Sequence, residues 1–390
     1  MDTLTQLTDE GVALWLDGVD RASLTPVSLA RAVREQHVTG ARLGARALVG
    51  RLHDDEHRDR VTALGRRGTA AADAALLLHA HDVQLACDVL QPVFADGGGR
   101  DGLVSAGLGP VPLVLAQSEA RVLHREVDRP NLLLRVPAGE PWLPVVSALL
   151  AEGIGVEVGP ICSLERYLLN LDAFLDGLER AARAGLDLAA ISSVASFPLR
   201  RLDILPGHRL CGAVARLVLH EHDLRFRGSR WQALARAGAR PQRLLWTATD
   251  TPGPPGPDTR HVDGFVAWGV ISSMTQTTLD AVADHALLDG DTLTGRHITA
   301  GYELQAMERR GVRLPLMTRQ LERRILDEQT AARDELHQVV AHALTARRGA
   351  TVPGSGDVAA LLLDPAEQVA ELDPAPGPDV LLDPEDMGLE

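Results

Sequence analysis

Residues 128–139 read DRPNLLLRVPAG, and the run Asn131–Ala138 inside them decides the fold. This run is short and, apart from Arg135, it is apolar on both faces. A strand that is apolar on both faces is typical of a parallel sheet whose two sides are covered by helices. The stretch therefore predicts a buried strand of an α/β fold.

Seven further runs of the same kind alternate along the chain with apolar patterns of helical period. The predicted strands are Val12–Val19, Val38–Leu43, Gly102–Gly109, Gly153–Pro160, Ile191–Leu199, Arg243–Asp250 and Gly264–Ser273. The predicted helices include Leu164–Leu178, Arg209–Leu224, Thr278–Leu288, Ala300–Arg310 and Met317–Arg348. Eight strands, each followed by helix, predict a (β/α)8 TIM barrel with additional C-terminal helices, the last of which packs through one face.

The composition changes at Gly349. Residues 349–390 contain no arginine, are acidic, and carry proline and glycine throughout, with the repeated units LLLDP, ELDP and LLDP. Acidic, proline-rich segments are usually mobile. We expect residues 1–348 to form the barrel and residues 349–390 to form a mobile tail, with docking of the tail's leucines onto the barrel as the alternative.

The composition also excludes several kinds of chemistry. The 390 residues include no lysine, so all 39 residues of the Lys+Arg count are arginine, against 53 acidic residues and a net charge of −14. Schiff-base, pyridoxal-phosphate and P-loop chemistry through a lysine side chain is therefore excluded. The acidic balance argues against nucleic-acid binding.

The remaining composition indicates a soluble, intracellular protein. Three cysteines, Cys87, Cys162 and Cys211, are too few and too scattered for a disulfide framework or a zinc site, which favours a reducing cytoplasm. The N-terminal segment resembles no secretion signal, and no run of 18 apolar residues predicts a membrane span. No motif indicates a metal or an organic cofactor.

Several motifs carry a resemblance to a known family. Besides DRPNLLLRVPAG, they are LTDEGVALWLD at 7–17, ACDVLQPVF at 86–94, SLERY at 163–167, SVASF at 193–197, AGARPQRLLW at 237–246 and TLDAVADH at 278–285. In this register the chain resembles the transaldolase family, in its long actinobacterial form, over residues 2–345. The resemblance implies an α/β barrel that transfers a dihydroxyacetone unit between sugar phosphates through a lysine imine, without a cofactor.

The active-site positions depart from the family pattern. The resemblance places Arg135 where the family has its imine lysine, and Gly107 and Gly109 where it has strand-three carboxylates. On the fifth strand, Glu157 stands for the family's asparagine and Gly159 for its catalytic threonine. We interpret these changes as loss of the imine chemistry on a retained scaffold.

The candidate site residues are those placed at the C-terminal ends of the strands, where barrels of this kind carry their chemistry. Asp17 and Glu157 are the candidate proton-transfer pair, with Arg135 as a third catalytic candidate. The candidate substrate-binding residues are Arg42, Arg46, Ser196, Arg200 and Arg201. Guanidinium groups bind phosphate or carboxylate bidentately. The structural alternative is that Arg135 forms a buried ion pair with Glu157 or Asp17, and that Arg201 caps a loop.

Two functional hypotheses follow. The first is a repurposed enzyme that uses acid/base or electrostatic catalysis of lyase, isomerase or cyclase type on an anionic small molecule, in specialised biosynthesis. The second is a pseudoenzyme that binds a sugar phosphate or a protein partner. On either hypothesis we expect no genuine transaldolase activity, and neither nucleic acid nor membrane as a partner. A homodimer is left open.

Overall fold

The computed structural model describes residues 2–18, 25–52, 54–203, 210–248 and 258–347. Eight parallel strands pair in chain order and close into a barrel, with β8 beside β1. The strands are β1 (Ala13–Gly18), β2 (Val38–Gly44), β3 (Leu103–Gly107), β4 (Leu132–Val136), β5 (Val156–Val158), β6 (Ser193–Pro198), β7 (Arg243–Thr247) and β8 (Ile271–Met274). The predicted (β/α)8 TIM barrel is confirmed.

Helices connect and cover the strands. They are α1 (Thr3–Asp9), α2 (Pro26–Glu35), α3 (Ala45–Arg51), α4 (Asp55–Arg67), α5 (Ala71–Asp96), α6 (Leu113–Val127), α7 (Leu143–Ala151), α8 (Leu164–Arg183), α9 (Leu199–Leu202), α10 (Leu210–Arg225), α11 (Ser229–Arg236), α12 (Arg260–Asp263), α13 (Gln276–His285), α14 (His297–Arg309) and α15 (Leu314–Arg347). Short 3₁₀ turns occur at Glu140–Trp142 and Leu188–Ala190.

The barrel interior is filled by side chains from several strands. Trp15 of β1 is fully buried and packs with Leu133, Val194 and Leu245. The Trp15 ring lies over Gly40 of β2, where a Cβ atom would approach the indole nitrogen to 2.3 Å. The middle of the barrel is therefore a packed core and not a pore.

The predicted helical stripe at 164–178 lies in α8. Its buried members include Tyr167, Leu171 and Phe174. The helix begins after Ser163, whose side chain accepts a hydrogen bond from the Arg166 N–H at 3.1 Å, as an N-cap residue does. Burial of one apolar face and a capped first turn together account for this helix.

Two predicted strands are longer than the observed ones by five or more residues. The prediction Gly264–Ser273 yields a strand only from Ile271, because the Val266 N–H donates to Thr292 Oγ1 at 3.0 Å instead of to a neighbouring strand. The prediction Gly153–Pro160 yields only Val156–Val158, since the Ile154 N–H donates to the Leu149 carbonyl at the end of α7. The apolar residues Ile154, Phe265 and Val266 are buried there without belonging to a strand, whereas Trp268 is exposed.

The last helix, α15, begins three residues before the predicted Met317. It packs against α3, α4 and α5, and its residues Leu321, Leu336, Val340 and Leu344 are buried. The predicted boundary residues Val19, Arg209, Asp250 and Arg348 and the predicted tail at 349–390 lie outside the described residues.

Within the described ranges, no helix carries an apolar stretch long enough to cross a bilayer.

Candidate active site

Two pairs of neighbouring strands place four charged residues at the upper end of the barrel, which is formed by the C-terminal ends of the strands. Asp17 on β1 is paired with Arg42 on β2, and Arg135 on β4 is paired with Glu157 on β5. The predicted convergence of these side chains is observed, since the Arg42 guanidinium contacts the carboxylates of both Asp17 and Glu157.

Glu157 is the most deeply buried member, with no exposed surface. Arg42 Nε lies 3.2 and 3.1 Å from its two oxygens, and Arg42 Nη2 donates to Oε1 at 2.7 Å. Burial alone would raise the pKa of Glu157, but the Arg42 and Arg135 guanidiniums outweigh it and hold that pKa well below its usual range. Glu157 is therefore ionised at neutral pH.

Arg42 binds its two partners through all three of its guanidinium nitrogens. Its Nη1 donates a short hydrogen bond to Asp17 Oδ2, while Nε and Nη2 are engaged by Glu157. Burial would lower the pKa of Arg42, but the carboxylates of Glu157 and Asp17 reverse the effect and raise it. With Asp17 and Glu157, Arg42 forms what we call the interior cluster, in which its donors on three nitrogens are already committed.

Arg135 differs from Arg42 because most of its donors have weak partners or none. Its Nε forms an ion pair with Glu157 Oε2 at 3.6 Å, which is too long for a hydrogen bond, and it has no hydrogen-bond partner among the described residues. Its Nη2 lies 3.4 Å from Ser105 Oγ. Burial lowers the pKa of Arg135, Glu157 opposes this, and the Arg42 charge adds to the lowering. Arg135 is thus a buried cation with donor capacity to spare.

Three glycines make room for the larger side chains of the site. A Cβ atom at Gly107 would lie 2.9 Å from Arg135 Cβ, and one at Gly44 would lie 3.5 Å from Arg135 Nη1. A Cβ atom at Gly159 would lie 2.0 Å from Ser196 Oγ. The glycines at 107 and 159 therefore fit the presence of Arg135 and Ser196 sterically.

A cavity of about 250 Å³ opens above the interior cluster. The predicted site residues among its lining are Asp17, Arg42, Arg46, Arg135, Ser196 and Arg201. Two predicted site residues are absent from the lining formed by the described residues: Glu157, which is buried beneath it, and Arg200, which neighbours Arg201 in α9. The lining thus holds four arginines and two carboxylates, Asp17 and Glu328, and this excess of positive charge suits an anionic ligand.

The roof of the cavity comes from α15, which sequence reasoning missed. Ile325, Glu328, Gln329 and Ala332 line the cavity from this helix. Two polar anchors hold α15 there. Arg333 donates to both oxygens of Glu119 in α6, at 2.8 and 2.5 Å. Glu322 accepts hydrogen bonds from Arg166 Nε at the start of α8, at 3.3 Å, and from the Cys162 N–H in the loop after β5, at 3.2 Å.

At the rim of the cavity, Arg201 and Glu328 form what we call the rim pair. Arg201 Nη1 and Nη2 donate to the two Glu328 oxygens at 2.9 and 2.7 Å. This hydrogen bonding lowers the pKa of Glu328, with further lowering by the charges of Arg201 and Arg46. Ser196, at the end of β6, donates weakly to the Val158 carbonyl at 3.4 Å. A planar guanidinium held by a carboxylate in this fork geometry is arranged as it would be on a phosphate.

These features define a TIM-barrel protein with an arginine-lined cavity at the end of the barrel where such folds hold their active sites. A family model described as "Transaldolase/Fructose-6-phosphate aldolase" matches residues 14–340. The chain belongs to this family.

Relatives of high coverage carry the same name. A "Transaldolase" of Thermobifida fusca is 41% identical over 88% of this chain and 98% of its own length. A "Transaldolase" of Acidothermus cellulolyticus is 38% identical over 89% and 98%, and "Transaldolase 1" of Streptomyces avermitilis is 37% identical over 88% and 96%. A crystal structure of 2,3-dimethylmalate lyase matches 85% of this chain and 99% of its own at 11% identity, with a TM-score of only 0.29.

The comparisons correct the functional hypotheses drawn from the sequence. We expected a repurposed lyase, isomerase or cyclase, or a pseudoenzyme, and no genuine transaldolase activity. Both hypotheses are wrong by these findings, because relatives 37–41% identical over most of the chain are named transaldolase. The lysine-free composition therefore does not support a departure from the family's activity.

Proposed function

We propose that this chain acts on a phosphorylated sugar in an aldol reaction of transaldolase type. The names of its relatives and of its family support this activity. The observation that carries the proposal is the cavity itself, in which the under-paired guanidinium of Arg135 lies on the floor and that of Arg201 at the rim. A floor cation suits a carbonyl oxygen, and a rim cation suits a phosphate.

The carbonyl chemistry in this proposal runs without an imine. The sequence holds no lysine, and by family resemblance Arg135 stands at the imine-lysine position. A guanidinium is protonated and a poor nucleophile, but it stabilises negative charge on oxygen well. Arg135 lines the cavity, and its Nη2 makes only a long hydrogen bond, to Ser105 Oγ at 3.4 Å, so the developing oxyanion would gain a donor from this end of the guanidinium at little cost elsewhere.

The proposed bond cleavage assigns one role to each group. The Asp17 carboxylate, which lines the cavity, takes the proton of the hydroxyl on the carbon β to the ketone. The carbon–carbon bond between the α and β carbons breaks, an aldehyde leaves, and the electron pair moves onto the carbonyl oxygen as an enolate held by Arg135. In the transfer step the enolate carbon attacks the acceptor aldehyde, and Asp17 returns the proton to the new alkoxide.

Glu157 takes a different role from the one predicted from sequence. Its side chain has no exposed surface and is engaged by Arg42 at 2.7 Å. We assign it to positioning Arg42 and Arg135, and we leave proton transfer to Asp17, whose side chain is 14% exposed.

At the rim, the proposal requires an exchange of anions. Arg201 is already occupied by Glu328, so a substrate phosphate must displace this carboxylate to bind the same guanidinium. The exchange is feasible because the Glu328 side chain is 41% exposed and can turn into solvent. Arg46, exposed and on the cavity wall, supplies a second cation.

The test is a direct assay on the purified full chain. Fructose 6-phosphate serves as donor and a short phosphorylated aldose as acceptor, and products are followed by mass spectrometry. We expect turnover by the wild type, and a drop of about 100- to 1000-fold in kcat for Arg135→Gln, the scale of losing one oxyanion donor. The matched control is Arg121→Gln, since Arg121 pairs with Glu152 on the surface, and this variant should keep full activity.

Three outcomes would count against the proposal. Absence of turnover in the wild type would overturn the activity, and full activity of Arg135→Gln would overturn the role of Arg135. Treatment with borohydride in the presence of the donor should leave the chain's mass unchanged. A covalent adduct there would overturn the imine-free chemistry and leave the activity standing.

We also propose a cytoplasmic location, which three buried and unpaired cysteines support.

A further inference from the structure

A second group of polar side chains lies outside the cavity, beyond the end of β6. Asp203 follows α9, Cys211 lies in the first turn of α10, and His261 lies in α12. One ligand-type atom from each residue lies within 4.8 Å of the other two, and all three residues are buried. Three separate elements thus direct a carboxylate, a thiol and an imidazole to one point.

The contacts within this group centre on Asp203. Cys211 Sγ donates to Asp203 Oδ1 at 2.7 Å, and His261 Nε2 lies 3.2 Å from Asp203 Oδ2. Arg260 Nη2 lies 3.3 Å from the same Oδ2 atom. Burial and the neighbouring carboxylate raise the pKa of the Cys211 thiol, so the sulfur is protonated in this arrangement.

We propose that Asp203, Cys211 and His261 form a binding site for a divalent zinc-class metal ion. Thiolate, imidazole and carboxylate are the three ligand types that zinc takes in proteins, and three protein ligands leave a fourth position open. Tetrahedral zinc would set the donor atoms roughly 3.5 Å apart. The observed separations of 2.7 and 3.2 Å, with all donors within 4.8 Å, require shifts of only about 1 Å at the side-chain ends.

The cation now beside Asp203 can leave. The Arg260 side chain is 31% exposed, so its guanidinium can turn to solvent when the metal takes its place on Oδ2. The metal also replaces the proton of the Cys211 thiol, which leaves to solvent while the sulfur keeps its electron pair for the metal. No oxidant or further reactant is needed.

The sequence alone argued against zinc, because the cysteines are few and scattered. The three donors are separated by 8 and then 50 positions along the chain, so no motif spacing marks them. The fold brings them together beside Arg201, two residues before Asp203. The site is independent of the proposed function.

The experiment uses the full chain, stripped with a chelator and dialysed. We expect titration with Zn²⁺ in a calorimeter to give one site per chain, and Co²⁺ to give the thiolate-to-cobalt charge-transfer absorption of a cysteine ligand. Cys211→Ser should abolish that absorption and weaken Zn²⁺ binding by at least about 100-fold, since losing even an outer-shell partner costs about 10- to 100-fold. The matched controls are Cys162→Ser and Cys87→Ser. Both cysteines are buried but do not belong to the group of Asp203, Cys211 and His261, so these variants should bind Zn²⁺ like the wild type.

Further variants keep the test decisive. Asp203→Asn and His261→Gln should each weaken Zn²⁺ binding, and Arg260→Gln should strengthen it by removing a competing positive charge. Added Zn²⁺ should raise the Tm of the wild type and of Cys162→Ser but not of Cys211→Ser. Failure of the wild type to bind Zn²⁺, a cobalt complex without the thiolate absorption, or wild-type affinity in Cys211→Ser would each overturn the site.

Discussion

The interior cluster and the rim pair are both arginine–carboxylate contacts, yet they differ in burial. In the interior cluster, the side chains of Arg42 and Glu157 are 11% and 0% exposed. In the rim pair, those of Arg201 and Glu328 are 19% and 41% exposed. Charge attraction is strong and desolvation costly in the first case, whereas water screens the second. A fixed charge arrangement therefore lies beneath an exchangeable one.

This difference explains how one cavity can hold several arginines although their positive charges repel one another. The interior carboxylates fix Arg42 and partly compensate Arg135, so the charges at the floor balance without a ligand. Under the proposed function, the rim carboxylate binds Arg201 until a substrate phosphate displaces it. Substitutions in the interior cluster should act mainly on stability, and those in the rim pair mainly on affinity.

The largest effect is expected from Glu157→Gln. This change leaves the buried Arg42 and Arg135 charges undercompensated, and removal of one partner of a buried pair costs about 3–5 kcal/mol of unfolding free energy. Chemical denaturation at pH 7 measures it. The control is Glu152→Gln, whose side chain is 37% exposed in its pair with Arg121 and should change stability by less than about 1 kcal/mol. Equal effects of the two substitutions would contradict the comparison.

The second prediction is that the protein loses stability in acid because of a buried histidine and not because of the carboxylates. Burial lowers the pKa of His79 to about 4, with Asp82 opposing and the Arg135 charge adding to the effect. Below its ordinary pKa of about 6.5 the unfolded chain binds a proton that the folded chain excludes. Stability should therefore fall by up to about 3 kcal/mol between about pH 6.5 and pH 4.

Denaturation midpoints measured across this pH range test whether His79 causes the loss of stability. His79→Gln should remove most of the slope, whereas His285→Gln, at an exposed histidine, should leave it unchanged. A wild-type slope that survives in His79→Gln would assign the acid sensitivity elsewhere. Glu157 cannot supply it, because its pKa lies well below the range tested.

The third prediction concerns removal of the arginine from the rim pair. Arg201→Gln removes the bidentate donor proposed for the phosphate, and hydrogen bonds to charged groups contribute about 1.5–3 kcal/mol. The Kd for fructose 6-phosphate should therefore rise by about 10- to 100-fold, while the unfolding free energy changes by less than about 1 kcal/mol. Calorimetric titration and denaturation measure the two. A stability loss without an affinity loss would make Arg201 a structural residue.

Much of the fold was predictable from the sequence, because buried parallel strands have a local signature. The runs that became β2 and β4 were predicted within two residues at each end. The run before β8 was not, since Val266 and Phe265 are as apolar as strand residues and only their loop hydrogen bonds distinguish them. Burial is visible in a sequence, but the partner of a backbone N–H is not.

The positions of the candidate residues could be predicted from the sequence, because they follow from the strand ends. The sequence also left open an ion pair of Arg135 with Glu157 or Asp17, and the structure has the contact with Glu157 at 3.6 Å. Nothing local indicated that both carboxylates would bind Arg42 more closely than Arg135. The contribution of Glu328 was missed because α15 follows β8 by some 40 residues and is charged along its length. The function was the weakest inference, since replaced motif residues were read as loss of activity against the family evidence.

The smallest effect, and the one of opposite sign, is expected from Glu328→Gln. The substitution removes the anion that competes for Arg201, so the Kd for fructose 6-phosphate should fall by about two- to fivefold, the scale of one partly exposed ion pair. Calorimetric titration of the wild type and the variant measures the change. Glu119→Gln is the matched control, because Glu119 anchors α15 through Arg333 without lining the cavity, and it should not tighten binding. Weaker binding in Glu328→Gln would mean that this carboxylate positions Arg201 for the phosphate and does not compete with it.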